Sequence, residues 1–540
     1  MKRLFWFKAA CALALALCIG AGGAWAAAWS FGVMGDTQWI GENRDGKNPN
    51  SVPVGIIGQI NPQFIKAGVK FVVQVGDLSD SGSNAAMAER AKASQALYDA
   101  GIGFYPFRGN HEASATAAAQ FQDLYPQTQG KGGNVAGATN FSSPSTNLLG
   151  LSYSFDYGNA RFVLLDQFTP TDGNASDGTA YDVNNNAIGS QQSWIGSTLA
   201  GKPMNGHAFV FGHKNLVGQN HPDMLLGANP GANSAAQKAF IDSLASHGVR
   251  YLISGHDHIH QRSVVRAPGG VSCVQQIISG SESNKFYIPL GNPELPGTIN
   301  NDVKYDSPTR ETSLRQERNT IGYYIYTVDG PRVRVDYYSA HVFPTLAKGE
   351  YMISSTPDLT FARQETFGYS LNAKEFLVGG QAGTSYTVVQ DSFGGTTARI
   401  LAGTYRNTEV DGSGRLLTQT VDTGWTSRQD AGVSLKSDAL SLWGMATSLG
   451  SGRTDTYVLS MSLTDLSMCQ MKSGKFFLLT KDGKGGWANA VDADYGPQER
   501  HFVVGAWKES YGLGTYGIDP DSHVAWAVIN HDGDFAVGRP

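Results

Sequence analysis

Cysteine is scarce: four among 540 residues, which excludes a small disulfide-stapled scaffold. Charge is sparse too. Asp, Glu, Lys and Arg make up 16% of the chain, well under the usual quarter or so, and the polar surface falls largely to Ser, Thr, Asn and Gln. With 41 basic against 46 acidic residues and a formal net charge of −5, the chain lacks the positive field that gathers nucleic acid or anionic lipid. No nucleic-acid partner is expected, and a substrate must be held locally. No apolar run reaches the roughly 20 residues needed to cross a bilayer. The chain is nevertheless long enough for more than one domain at roughly 150 residues each, with ample material for a core.

The first residues read as an export signal. Lys2, Arg3 and Lys8 are followed by an apolar stretch from Ala9 to Ile19, and Ala24-Trp25-Ala26 offers the small residues a signal peptidase needs. Cleavage after Ala26 is expected, with a secreted or periplasmic destination. Removal would take three basic residues and leave 38 against 46 acidic, a net charge of −8. It would also remove Cys11 and Cys18, leaving Cys273 and Cys469, either as a cross-domain pair or, the plainer reading, as two separate thiols.

From Trp29 to about residue 345, short apolar runs alternate with helical stretches, the pattern of a layered α/β domain. Strands are predicted at Ser30–Met34, Val69–Val75, Gly103–Phe107, Arg161–Leu165, Ala208–Phe211 and Tyr251–Ser254, with helices over Ala85–Ala100 and Ser234–His247. Polar insertions at Gln127–Leu149 and Pro170–Gly189 read as loops. Residues 346–365 are the expected linker. From 366 to 540 helical periodicity fades, and β-branched and aromatic runs punctuated by Gly predict a β-rich, sandwich-like domain with strands at Thr456–Ser462, Lys475–Thr480, His501–Ala506 and Val524–Ile529. Its ligand is not legible. Trp487, Trp507 and Trp526 fit core positions better than a groove, and His523, His531 and Asp532 lack a diagnostic metal spacing.

Chemistry-bearing residues follow the strand ends. Gly35-Asp36-Thr37-Gln38 comes after the first, Gly76-Asp77-Leu78-Ser79-Asp80 after the second and Arg108-Gly109-Asn110-His111-Glu112 after the third. Gly212-His213-Lys214 and Gly255-His256-Asp257-His258 come later. Loops at the carboxyl ends of strands meet above a sheet edge, so residues distant in sequence can share one cleft. Carboxylates, amides and imidazoles together suit a borderline cation pair such as Mn, Fe or Zn better than Ca or Mg. Two such ions can clamp a phosphate and activate water, which is phosphoester hydrolysis.

In these blocks the chain resembles the calcineurin-like metallophosphoesterases, whose pattern runs Asp-x-His, Gly-Asp-x-x-Asp, Gly-Asn-His-Asp/Glu, a lone His, then Gly-His-x-His. The resemblance implies an α/β/β/α four-layer sandwich over residues 29–345. It puts Asp36, Gln38 and His258 on one metal, Asn110, His213 and His256 on the other, and Asp77 between them. It makes His111 the general acid or transition-state donor, with Asp80 orienting and charging its imidazole, and Arg108 an added phosphate contact. Gln38 stands where most of the family has His; its amide oxygen is a harder, weaker donor, which leaves monoester or diester preference open. Glu112 stays ambiguous, His260 is expected to support or face solvent rather than ligate, and His207 and His221 read as surface or capped residues. A small phosphorylated substrate is the implied partner. Competing readings are a nuclease or phospholipase, disfavoured by the acidic charge, and an extracellular binding protein with the C-terminal domain as its working module, disfavoured because a structural metal site needs neither His111 nor Asp80.

Overall fold

The computed structural model describes residues 27–132, 135–168, 187–226 except 205, 222 and 223, 234–288 except 270 and 271, and 311–371 except 331, 348 and 349; beyond these it describes separate strands within 376–443, and 453–540 except 465, 482–485, 497, 498 and 532. The export signal, most of the 170–189 insertion and Asp532 lie outside the described residues. Among the described residues no helix is long and apolar enough to cross a membrane.

Two large sheets pack face to face. In the first, Trp29–Met34, Phe71–Gln74 and Gly103–Pro106 run parallel, and Trp29–Met34 continues antiparallel through Thr320–Asp329 and Arg332–His341 to an edge strand, Ala362–Ser370. In the second, Ala160–Leu165, His207–Gly212, Tyr251–Ser254 and Cys273–Ser279 are parallel neighbours. Because both faces of these strands are covered, they read as continuous apolar runs rather than alternating ones.

The twofold pleat sorts their side chains. Phe31, Val33, Phe71 and Val73 from the first sheet meet Phe162, Leu164, Phe209, Phe211 and Tyr251 of the second in one aromatic core. On the opposite faces Val72 and Phe104 pack under helices Val54–Ala67, Asn84–Ala93 and Ala115–Leu124, while Val163, Val210 and Leu252 pack under Ala187–Ala200 and Ser234–Ser246. The result is helix, sheet, sheet, helix. Approach is close enough at Gly32 that an added Cβ would lie 2.4 Å from the Phe64 ring.

The helix expected over Ala85–Ala100 is two: Asn84–Ala93, capped by the Ser83 hydroxyl, and Gln95–Asp99. Between them Ser94 Oγ donates back to the Arg90 carbonyl at 3.4 Å, a side-chain bond to the backbone that competes with helix continuation, and accepts from the buried Arg90 guanidinium at 2.7 Å.

Residues 346–365 are not a linker. Thr345–Ala347 and Glu350–Met352 form a hairpin that pairs with Lys285–Phe286, and Ala362–Ser370 completes the first sheet. The strand that begins at Ala362 turns one side chain, Glu365, onto a buried charge cluster. Glu365 accepts from Arg262 Nη2 at 2.6 Å and pairs with His260 Nε2 at 3.0 Å. His260 also meets the Tyr324 hydroxyl at 2.7 Å and stacks on Tyr337, so it holds the fold and is not a metal ligand. The domain therefore extends to about residue 370.

C-terminal to it, one sheet contains Ala439–Trp443, Gly533–Arg539 and Phe477–Lys481, and another contains Arg453–Ser462, Val524–His531 and Thr515–Asp519. Leu440, Leu478, Phe535 and Val537 of the first share a core with Tyr457, Leu459, Ile518 and Ile529 of the second. Trp487 and Trp526 are buried and Trp507 packs beside Trp526. His531 is buried against the Ala490 carbonyl at 2.8 Å. Cys273 and Cys469 are not joined by a disulfide.

Burial alone would raise the Glu365 carboxyl, but Arg262 and the His260 hydrogen bond hold it well below the usual carboxylate range. A depressed folded-state value means the cluster's stabilisation is complete above the unfolded pKa of about 4.3 and fades as pH falls below it. Glu365→Ala, which removes one partner of a buried pair, should cost about 3–5 kcal/mol at neutral pH in denaturant unfolding. The gap between wild type and Glu365→Gln should narrow on acidification below about pH 4; a gap that stays constant would remove the cluster from the stability account.

Candidate metal centre

Five loops at strand carboxyl ends converge. Asp77, His213 and His256 bring one ligand atom each within 4.8 Å of one another, as do Asp36, Asp77 and His258, and all five are buried. Asp77 belongs to both clusters. The backbone is bent to achieve this: Asp77, His256 and His258 have φ of 43°, 70° and 48°, a left-handed region that non-glycine residues occupy at some cost and that gathers at functional sites. Two glycines permit the approach. A Cβ on Gly109 would lie 2.0 Å from Asp77 Oδ1, and one on Gly255 would lie 2.1 Å from Asp36 Oδ1.

Main-chain carbonyls set the imidazoles. His213 Nδ1 is 2.9 Å from the Val75 carbonyl and His258 Nδ1 is 2.9 Å from the Lys285 carbonyl. Both contacts require Nδ1 to donate, which leaves Nε2 of the neutral ring as a lone pair directed inward. His213 Nε2 then faces Asn110 Oδ1 at 2.9 Å and Asp77 Oδ1 at 3.3 Å, and His258 Nε2 faces Asp36 Oδ2 at 3.1 Å. Converging lone pairs call for a positive charge between them. Burial lowers the pKa of His213, but Asp77 and Asp36 outweigh it and push it up to about 9; a proton or a metal ion satisfies the same field. Burial likewise raises Asp77, and His213 and His111 hold it well below the carboxylate range. Among the described residues, buried Asp36 Oδ1 and both ends of the Gln38 amide have no hydrogen-bond partner, so an oxygen from each is available for coordination. The donor set fits a cation pair.

His111 lies at the edge of the cluster. Its backbone N–H donates to Asp77 Oδ1 at 3.1 Å and its Nε2 is 3.8 Å from Asp77 Oδ2. Burial lowers its pKa, and Asp77 and Glu112 more than compensate, leaving it raised. Asp80 orients this ring differently from the expectation: Nδ1 meets its main-chain carbonyl, while the Asp80 carboxylate stays 3.9 Å away. Burial raises the Asp80 carboxyl, so full charge there would be costly.

Arg108 is not a phosphate contact. It is fully buried, donating from Nε to Asp166 at 2.6 Å and from Nη1 to the Glu112 carbonyl at 2.8 Å. Its position before Gly109 suits anchoring the loop base, because the strand end faces the interior. Glu112 splices two loops, accepting from the Ser79 and Gly109 N–H groups at 3.1 Å each, and burial pushes its pKa up to about 7. His207 is buried between Tyr369 and the Gly330 carbonyl.

Three features escape the sequence reading. His221 is not a surface residue: its Nδ1 is 2.7 Å from Asp257 Oδ1, and its ring lies 4.3 Å from that of His256 and 4.5 Å from that of Tyr287. Asp257, between two ligands, instead gathers the N–H groups of Gln219 and His221 and the Asn215 amide, and so ties the loop after His213 to the last block. The segment from Ser281 to Lys285 runs beside Asp36-Thr37-Gln38, with Glu282 N donating to the Asp36 carbonyl and Asn284 N to that of Gln38, each at 3.1 Å. Buried Glu282 has its carboxyl pushed well up by burial and by Asp36. None of this has a local signal, because each contact joins loops far apart in sequence.

Residues 30–260 match the sequence model of the calcineurin-like phosphoesterases. This stretch is a calcineurin-like phosphoesterase domain. Solved structures similar to the chain include a purple acid phosphatase from yellow lupin seeds, 15% identical with a TM-score of 0.36 over 58% of this chain and 51% of that one. Another is a dimetal phosphatase from Danio rerio, 17% identical with a TM-score of 0.32 over 57% of this chain and 95% of that one. The chain thus spans about half the length of the lupin protein. Comparison with curated proteins gave no match.

The calcineurin-like domain's glycines make a direct test. Gly255→Ala places a methyl group against Asp36 and should lower metal content per chain at least severalfold in elemental analysis, with the fold retained by circular dichroism. Full metal content in that variant would show that the loop can move aside.

Proposed function

We propose that the chain is an exported phosphoesterase that hydrolyses small phosphomonoesters or phosphodiesters with two transition-metal ions, Mn, Fe or Zn. The observation that carries this reading is the carboxylate of Asp77 shared between two buried ligand clusters, with His111 beside it. Asp36, Gln38, Asp77 and His258 would hold one ion, and Asp77, Asn110, His213 and His256 the other. When bound, the pair would supply Lewis acidity and an activated water for in-line displacement at phosphorus.

The chain's own residues do the rest. Val75 and Lys285 fix two of the three imidazole ligands, His213 and His258, through their carbonyls, so much of the centre is organised before substrate arrives. The Asp80 carbonyl holds His111 Nδ1–H and turns Nε2 toward the centre. An imidazolium there, favoured by Asp77, can donate from Nε2 to the departing oxygen and leave as neutral imidazole. His221, buttressed by Asp257, offers a further polar edge beside His256. Gln38 is neutral like the His usual at its position, so site charge is unchanged while the donor is harder; this favours Mn and leaves the ester preference to experiment.

Hydrolysis assays over a panel of monoesters and diesters, with metal analysis of the same sample, test the reading. Chelation should abolish turnover, and Mn, Fe or Zn should restore it. An unchelated preparation with only trace metal and no gain on metal addition would overturn it. His111→Ala should lower turnover by roughly 10²–10⁴ with metal content intact; undiminished turnover would remove the residue from catalysis. Export follows from Ala24-Trp25-Ala26 and is tested by sequencing the N-terminus of protein recovered outside the cytoplasm, which should begin at Ala27.

A further inference from the structure

Lys285 is buried, 6% exposed, at the edge of the metal centre. Its carbonyl receives His258 Nδ1 and the Ser281 hydroxyl, and its N–H is held by Ser283 Oγ at 3.0 Å. The two-residue strand it begins is pinned by Met352 and Tyr351 across the hairpin. The backbone therefore has little freedom, and the side chain leaves from a defined point beside a metal ligand.

The ammonium lies 5.1 Å over the Tyr287 ring. That ring is 4.9 Å from the His258 ring and 4.5 Å from that of His221. Lys285's charge reaches the other side of the cleft as well, favouring the ionised form of Asp80 and opposing protonation of His111. Among the described residues no carboxylate lies within ion-pair distance of Nζ. Among the described residues the contact of that ammonium is the aromatic face, and an ammonium on a largely buried residue is stabilised when an anion joins it. The nearby carboxylates do not fill the role: Asp36 and Asp77 are directed at the ligand clusters, and Asp257 is engaged by His221 and its neighbours. A phosphoryl oxygen supplies the missing negative charge and accepts a charge-assisted hydrogen bond from the ammonium.

We propose that Lys285 binds the phosphoryl group of the substrate, its ammonium donating to a nonbridging oxygen while Tyr287 holds the side chain in line. This rests on the phosphoesterase reading above and adds a binding residue to it. Lys285 supplies charge to the bound anion and no ligand atom to the metal.

The experiment uses the full-length, metal-loaded protein and inorganic phosphate as the probe, followed by calorimetry and by competitive inhibition of hydrolysis. Lys285→Met keeps the length and loses the charge. It should weaken phosphate binding about 10- to 100-fold, the loss of one charge-assisted hydrogen bond, and raise KM in parallel with metal content unchanged. Lys285→Arg should retain phosphate affinity within a few-fold of wild type, which a merely space-filling role does not predict. Phosphate affinity in Lys285→Met equal to that of wild type, at equal metal content, overturns the proposal. If Lys285→Met does not fold, Lys285→Arg decides: a 10-fold loss of phosphate affinity in it, with metal retained, overturns the proposal, and near-wild-type affinity supports it. Wild-type protein that binds metal and phosphate yet hydrolyses no ester defeats the phosphoesterase reading alone, since phosphate binding still reports on Lys285.

Discussion

The calcineurin-like domain depends on one electrostatic constraint: lone pairs from five loops are driven together on largely buried side chains. Asp77 is 2% exposed and takes part in both ligand clusters. Oxygens and imidazole nitrogens at such separations repel unless positive charge lies between them, so the same arrangement that is a liability without cations is an affinity with them. Backbone strain at Asp77, His256 and His258 has the same origin, since only turned-back loops can aim their side chains at a common point.

The layers of the fold supply the rigidity this requires. Aromatic side chains from both sheets fill the space between them, with Phe31 stacked on Tyr326 and edge-on to Phe162 and Phe209. Strand ends so fixed bring Asp36 of one sheet against the His256 N–H of the other at 2.8 Å. Beneath the cleft, polar bonds between loops replace apolar packing: Glu112 braces the second loop against the third, and Asp257 braces the fourth against the fifth. Charges in this layer divide their work. Arg108 and Glu365 are spent on the scaffold, whereas His111, His221 and Lys285 face the cleft.

The ligand blocks were legible in the sequence because ligand geometry leaves a short-range record: Gly before a ligand where the backbone approaches closely, and two imidazoles two residues apart on one tight turn. The strands were legible because full burial on both faces produces unbroken apolar runs. Arg108 was misplaced because an Arg beside a ligand block looks alike whether it turns outward to an anion or inward to Asp166. Residues 346–365 resemble a linker in sequence because their short strands pair with Lys285–Phe286 and with the first sheet, far away in the chain, and because Glu365 meets a buried Arg and His in place of an apolar neighbour.

What the sequence determined by itself, then, was where the strands of the first domain fall and which carboxylates, amides and imidazoles follow their ends, properties carried by neighbouring residues. The tertiary structure alone decided which residues surround that centre. His221 acquires its place from Asp257, 36 positions away, the Ser281–Lys285 segment lies along Asp36–Gln38 although about 245 positions separate them, and Ala362–Ser370 joins a sheet begun at Trp29. Such contacts depend on how the loops close over a packed core, and loop closure leaves no periodicity in the chain to read.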